Sequence, residues 1–362
     1  MTAGAGPRVA FYAPMKPPHH PVPSGDREMA RNLMQIIAAG GAEVSLVSGL
    51  RTRDKSGDEA VQAELRTQAA AEADQLIREM PDCALWVTYH NYYKAPDLIG
   101  PAVAKARGIP YVQIESTRAQ SRLTGPWADF AWAAHTAADA ADVIFYLTDY
   151  DRETLERDRC GGQALVHLPP FLPAERLSQP SALTGPMLAA GMMRDGDKLS
   201  SYRIIAQALR YVTRGWQLEI AGGGPARAKV EALMAPFGGQ VRFLGQLSRE
   251  ELSAAYRRAS LFLWPGVNEA FGMVYLEAQS HGLPVAAQDR PGVRDILAPG
   301  SYPPPDAGPA ALAAEIDRLL ADPALRSRRG AAGRKLIARD HLAPAATARF
   351  WAAVRPLLKG TA

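Results

Sequence analysis

Cysteine is nearly missing from this chain: Cys83 and Cys160 are the two in 362 residues. They are too few and too unpatterned for a zinc cluster or a disulfide framework, and they fit a reducing compartment. Cys83 opens an apolar run and reads as a buried thiol, whereas Cys160 precedes Gly161-Gly162 in a turn. No stretch approaches the ~20 apolar residues that span a bilayer. The first residues, Met1-Thr-Ala-Gly-Ala-Gly-Pro7, hold no signal-peptide core. A cytoplasmic protein is therefore expected, with peripheral contact at the inner face of the membrane left open. One-sided charge is also lacking: 41 Lys and Arg oppose 37 Asp and Glu, for a net charge of +4. With no basic block and no aromatic-basic stripe, no nucleic-acid partner is expected. No Asp or His group has metal-ligand spacing. Asp195 and Asp197 share a loop but are too few for a hard-cation cage, so the expectation is no metal.

What the chain does have is apolar material, 47 % of its residues, enough for two cores at ~100–200 residues per domain. Short apolar runs alternate with helical patterns. Val9–Ala13, Glu43–Val47, Leu85–Tyr89, Tyr111–Ile114 and Val143–Leu147 read as strands. Asp26–Ala39 reads as a helix, with Met29, Leu33 and Ile36 at helical spacing and Gly40-Gly41 ending it. The rhythm breaks at Pro169–Pro186, a proline-rich segment, and then restarts. Leu188–Met192, Gln217–Ala221, Val241–Leu244, Leu261–Trp264 and Val285–Ala287 read as the second set of strands. Strand-helix alternation implies parallel sheets covered on both faces. The expectation is two doubly wound domains, 1–170 and 187–340, joined by a linker at 171–186. Ligands of such domains sit beyond the carboxyl ends of strands.

The most informative segment lies there. Leu261-Phe-Leu-Trp264 is a strand, Pro265-Gly-Val-Asn268 a loop, and a helix follows from about Phe271 to His281. Glu269 falls at the positive end of that helix. Gly272 leaves first-turn amides open to a ligand oxygen. Glu277 lies one turn after Met273 on the same face. A carboxylate accepts two parallel hydrogen bonds, which suits a vicinal diol such as ribose. Alone, the two carboxylates also read as an ordinary helix start and a surface Glu.

The full string, Asn268-Glu-Ala-Phe-Gly-Met-Val-Tyr-Leu-Glu-Ala-Gln-Ser-His-Gly-Leu-Pro-Val285, resembles the signature of family-4 glycosyltransferases. Two glutamates with seven residues between them, Phe-Gly after the first and Gly-x-Pro-Val at the close all match. Ile220-Ala-Gly-Gly-Gly-Pro225 is similar to the family's glycine-rich turn, and Val241-Arg-Phe-Leu-Gly245 to its next strand. The first half matches more loosely. The resemblance implies the GT-B fold, two Rossmann-like α/β domains facing across a cleft, with the last helix, about 341–362, packed back on the first domain and anchored by Phe350 and Trp351. It implies a metal-independent transferase that retains anomeric configuration and needs no cofactor, since the UDP- or GDP-sugar donor is the substrate. The acceptor would be a glycan, a lipid-linked sugar or a small molecule, in polysaccharide biosynthesis or similar work.

Residue roles follow from the resemblance. Glu277 would hold the ribose hydroxyls and Glu269 the donor sugar. The amides of Phe271, Gly272 and Met273 would contact sugar and phosphates, with Asn268 and Gly222 in the same site. Lys198 falls where the family lysine stands. The family arginine directly follows the glycine, where this chain has Met192; Arg194, two residues later, would serve in a shifted loop or merely solvate a turn. Ser24-Gly25-Asp26 resembles the family's phosphate-approaching glycine loop, and Ser24 or Asp26 also reads as a helix cap. The family histidine after the fourth strand is absent. Glu115 or Ser116 takes its place, and Glu115 and His90 are the candidates for acceptor contact and proton transfer. His19 and His20 occupy a Pro-flanked loop. His281 reads as a helix C-terminal charge. Arg294 reads as nucleotide contact or solvated turn. Two rivals remain: a non-catalytic GT-B protein that binds sugar nucleotides or glycans, and a dehydrogenase supported only by Gly222-Gly-Gly224, which lacks a G-x-G-x-x-G at either first strand.

Overall fold

A computed structural model describes residues 6–22, 24–270 and 272–358. The chain forms two compact units. One comprises Met1–Pro169 with Ala343–Ala362, and the other Pro170–Leu342. Among the described residues no helix is long and apolar enough to cross a membrane.

The first unit is built on six parallel strands: β1 (Arg8–Tyr12), β2 (Glu43–Leu46), β3 (Leu85–Asn91), β4 (Tyr111–Ser116), β5 (Val143–Tyr146) and β6 (Ala164–His167). They lie in the order β2-β1-β3-β4-β5-β6. The crossover helices are α1 (Gly25–Ala39), α2 (Glu59–Glu79), α3 (Gly100–Arg107), α4 (Ala128–Asp139) and α5 (Asp149–Arg157). Val9, Phe11 and Tyr12 are all buried, as a strand covered on both faces requires. Helix α1 starts where Ser24 Oγ accepts from Arg27 N at 3.3 Å, a side-chain cap for an orphan amide. Its apolar positions Met29, Leu33, Ile36 and Ile37 are buried and recur at helical spacing.

The second unit has five parallel strands, β7 (Met187–Ala190), β8 (Leu218–Ala221), β9 (Val241–Gly245), β10 (Phe262–Leu263) and β11 (Val285–Ala286), in the order β11-β10-β7-β8-β9. Helices α6 (Asp197–Leu209), α7 (Arg227–Met234), α8 (Arg249–Arg258), α9 (Met273–Ser280), α10 (Gly308–Ala321) and α11 (Pro323–Asp340) surround it. Helix α8 opens on a complete capping box of Ser248 and Glu251. The segment read as a linker, 171–186, is laid over this unit. Phe171 and Leu172 are buried, Ser178 N donates to Ser280 Oγ at 3.0 Å, and Ser181 N donates to His281 O at 2.7 Å.

Helix α12 (Ala343–Leu358) returns to the first unit. Phe350 stacks on Phe145 with ring centroids 5.3 Å apart. Trp351 Nε1 donates to Ile37 O at 3.2 Å, and its indole fills the space a side chain at Gly40 would occupy.

Candidate active site

In the second sheet the chain runs outward from β7 to β9, then resumes at β10 on the other side of β7. Loops leaving neighbouring strands diverge at such a reversal, and the carboxyl edge there is the usual ligand position of a doubly wound sheet. Two loops meet at it: 191–196 after β7, and 264–272 after β10.

They are joined by a charged knot. Lys198, in the first turn of α6, donates from Nζ to Glu269 Oε1. Trp264 Nε1 donates to the same oxygen at 2.9 Å, and the Lys198 ammonium lies 5.3 Å from the Trp264 ring centroid. The side chains of Lys198 and Glu269 are 19 % and 11 % exposed, so the pair is screened from bulk water yet reachable. Asn268 takes a left-handed φ of 46°, which Asn tolerates better than most residues, and its Nδ2 donates to Asp197 Oδ1 at 2.9 Å. Val267 N donates to Ser201 Oγ at 3.2 Å. The β10 loop is thus tied to the start of α6 at three points.

Helix α9 begins after Gly272, whose φ is 44°; a Cβ there would lie 2.7 Å from the Tyr275 ring. Glycine is required. Tyr275 N donates to Gly272 O at 2.9 Å, which leaves the Met273 and Val274 amides as the ones without an intrahelical acceptor. Phe271 lies outside the described residues. One turn on, Glu277 is half-buried, and Tyr256 donates its hydroxyl to Oε2 at 3.1 Å. Burial pushes the Glu277 carboxyl above its ordinary range, against the opposing pull of the Tyr256 hydrogen bond and the Arg249 charge.

His281 departs from expectation. It is 4 % exposed, its Nδ1 lies 2.9 Å from Glu277 O and its Nε2 3.0 Å from Ser253 Oγ, and it stacks on Tyr256. Burial lowers its pKa, so it is a neutral packing residue and not a helix-end charge. Arg294 pairs with Asp289 at 2.9 Å.

After β7, Met192 and Arg194 are both exposed while Met193 is buried. The reason is backbone stitching: Met193 N donates to Gly223 O and Met193 O accepts from Ala226 N, each at 2.9 Å. Gly222 has φ 133°, and a Cβ there would sit 2.0 Å from Gly191 O. Its glycine is therefore explained by close approach of the two loops. Asp195 is held by Lys229 at 2.6 Å.

On the first unit, His90 and Glu115 end adjacent strands and form a close pair, Nε2 to Oε1 2.9 Å. Both have left-handed φ, 69° and 60°, a matched distortion that non-glycine residues rarely adopt. Among the described residues, Tyr89 Oη, His90 Nδ1 and Glu115 Oε2 are buried with no partner at hydrogen-bond distance and angle, and the Glu115 carboxylate faces the Tyr89 hydroxyl closely enough to raise its pKa after burial. Burial lowers the His90 pKa, but the Glu115 charge and hydrogen bond more than reverse it, and the net shift is upward. Gly25 is exposed at the start of α1, with open space where a Cβ would be. His19 is exposed, whereas His20 Nε2 lies 3.2 Å from Arg51 Nη1.

Trp264 and Tyr256, which orient the two site carboxylates, escaped the sequence reading because strand and helix positions of that kind look like core. An indole five residues before the first signature glutamate was the available signal.

The profile of glycosyl transferases group 1 matches residues 201–336. The D-inositol 3-phosphate glycosyltransferase of Frankia alni is 32 % identical over 289 residues, 68 % of this chain and 69 % of that protein. The alpha-D-kanosaminyltransferase of Streptomyces kanamyceticus is 26 % identical over 259 residues, 66 % of each. Among solved structures, sucrose-phosphate synthase from Thermosynechococcus elongatus superposes with a TM-score of 0.73 at 20 % identity, over 98 % of this chain and 100 % of that one. Anabaena HepE bound to UDP and glucose superposes with a TM-score of 0.68 at 14 % identity, covering 97 % and 100 %. The fold is that of the GT-B glycosyltransferases. The chain belongs to the glycosyl transferases group 1 family and is a glycosyltransferase.

Proposed function

We propose that this glycosyltransferase moves a sugar from a UDP- or GDP-sugar to an acceptor hydroxyl, retaining anomeric configuration and working without a metal ion. The observation that carries the reading is the Lys198–Glu269–Trp264 knot beside the open start of α9. The leaving nucleotide gains negative charge at the diphosphate, and fixed cations and amides stabilise it there. Lys198 supplies the cation and the Gly272–Met273 turn the amides. Glu269, with one oxygen held by Lys198 and Trp264, presents the other to the donor sugar. Glu277 accepts the ribose hydroxyls, and Asn268 positions the loop. Arg194 is exposed and joins the diphosphate site by side-chain motion alone.

On the acceptor side we assign His90 and Glu115. An unpartnered carboxylate oxygen and an unpartnered ring nitrogen suit a hydroxyl that must be oriented and relieved of its proton. Glycan, lipid-linked and small-molecule acceptors all offer one. Donor hydrolysis and transfer are the test: Glu269→Gln and Lys198→Met should each lower turnover at least a hundredfold, with transfer persisting in chelator. Full activity in both variants sinks the assignment. A second reading, sugar-nucleotide binding without transfer, is favoured by exposed Met192 in the family arginine's place. Donor binding with no transfer across a broad acceptor panel would select it.

A further inference from the structure

A third loop leaves the carboxyl edge of the second sheet. Strand β11 pairs parallel with β10, so the chain after Ala286 emerges beside the Glu269 loop. The two loops are pressed together. Gln288 N donates to Pro265 O at 3.4 Å, and a Cβ at Gly292 would lie 2.3 Å from Ala270 O and 2.8 Å from Glu269 O. Between these contacts stands Arg290, which is half-buried. Its Nε and Nη2 donate to one atom, Gln288 Oε1, at 3.2 and 2.6 Å, and Gln288 is 2 % exposed. A buried amide thus sets the guanidinium plane and leaves both Nη1 protons uncommitted.

Among the described residues no carboxylate pairs with Arg290. Its acidic neighbours are engaged elsewhere: Asp289 pairs with Arg294 at 2.9 Å, and Glu269 Oε1 takes Lys198 and Trp264. Tyr275, in the first turn of α9, ties the group to the site, its hydroxyl donating to Trp264 O at 2.9 Å. Burial raises the Tyr275 pKa; beyond that, Glu269 pushes it up and Arg290 pulls it down, so carboxylate and guanidinium stand near one hydroxyl. Burial also lowers the Arg290 pKa. A partly desolvated cation with a neutral partner is unfavourable until an anion reaches it. The other charges of the edge are matched or solvated: Lys198 by Glu269 and Lys229 by Asp195, with Arg194 exposed.

We propose that Arg290 binds an anionic oxygen of the donor beside Glu269. That oxygen belongs either to the β-phosphate, where Arg290 is the second cation that exposed Met192 cannot provide, or to a carboxylate on the transferred sugar, as in a uronic acid. A guanidinium fork matches phosphate and carboxylate oxygens equally well in pairs. The inference rests on the donor reading of this edge and adds to it a binding residue that Glu269, Lys198 and the start of α9 do not include.

Titration calorimetry on the full chain tests it. The probes are UMP, UDP, UDP-glucose and UDP-glucuronate, with GMP, GDP, GDP-mannose and GDP-mannuronate as the guanosine series. Arg290→Gln should weaken its ligands by about tenfold or more while the monophosphate stays within roughly twofold. Equal loss for the diphosphate and every sugar donor assigns the β-phosphate. Loss confined to the uronate donor assigns the sugar carboxylate. Gln288→Glu keeps the arginine and gives it a rival carboxylate, so it should reproduce the same pattern; Arg290→Lys should recover part of the loss. Thermal melting checks that all three fold. The proposal is overturned if the variants bind every probe as the parent does, or if they lose the monophosphate as much as the diphosphate. Glu277→Gln separates this failure from failure of the donor reading. A parent that binds no nucleotide, or whose nucleotide binding ignores Glu277→Gln, removes the donor reading and this inference with it. Glu277-dependent binding that ignores both Arg290→Gln and Gln288→Glu removes this inference alone.

Discussion

Replacing Glu277 by Gln should shift stability in opposite directions with and without nucleotide. Ionised, Glu277 can accept from both hydroxyls of a ribose; the amide accepts with one atom only and presents a donor to the second hydroxyl. Losing one hydrogen bond to a charged group costs about 2 kcal/mol, or roughly thirtyfold in Kd. Nucleotide at a hundred times Kd stabilises the fold by about 2.7 kcal/mol, and a thirtyfold weaker complex at the same concentration by about 0.9 kcal/mol. For a domain of this size that is a melting shift falling from about 8 °C to about 3 °C. Without nucleotide the sign reverses. Burial raises the folded pKa of Glu277, so its contribution is favourable below the ordinary carboxyl pKa and is lost as pH rises through the raised value. At neutral pH the buried charge opposes folding, and Gln removes it. Apo Glu277→Gln should therefore melt above the parent at pH 7, with the gap closing toward pH ~4.5. The assay is a thermal-shift series over pH, with and without UDP or GDP. An unchanged nucleotide shift would refute the donor role, and an apo variant that melts below the parent at pH 7 would refute the burial argument.

Trp264→Phe removes the indole donor to Glu269 Oε1 while keeping an aromatic face for Lys198. Turnover should fall about tenfold with donor KM changed little, as steady-state kinetics would show. Glu115→Gln leaves the His90 ring without its counter-charge. Because the pair raises the His90 pKa, its contribution is fully present below the ordinary histidine pKa of ~6.5 and fades as pH rises through the folded value. The variant should thus lose more stability at pH 6 than at pH 8.5, and an equal loss at both would count against the pair. Gly222→Ala meets a φ of 133° and the Gly191 carbonyl at 2.0 Å, and should cost more than about 2 kcal/mol in denaturant unfolding.

Much of the fold was legible because buried parallel strands announce themselves as apolar runs. Val9–Tyr12 and Leu218–Ala221 needed nothing more. Strand β6 went unread: Ala164–His167 is short and lies at the sheet edge, only partly buried, so its pattern is weak. Strands β10 and β11 each shrink to two paired residues, because backbone pairing, which apolar runs cannot report, sets their ends. The donor segment was legible as a string, Glu269 to Glu277. The tie between Lys198 and Glu269 was not, because it depends on two strands distant in sequence being neighbours in the sheet. His281 was misread for the same reason: its helix-end position suggested a charge, whereas Tyr256 and Ser253, brought in by α8, bury it, and burial with the Arg257 and Arg334 charges disfavours its protonation.

The return of α12 has a consequence for the order of events at the ribosome. The second unit is continuous, Pro170–Leu342, and interrupts the first. Every residue of its core precedes α12, so that core can close without the last helix. The first unit cannot, because the groove over Gly40 and Ile37 waits for Trp351. Released chains truncated before residue 343 should therefore carry a finished second unit and a first unit that still exposes the α1 face, the form most open to chaperones and proteases.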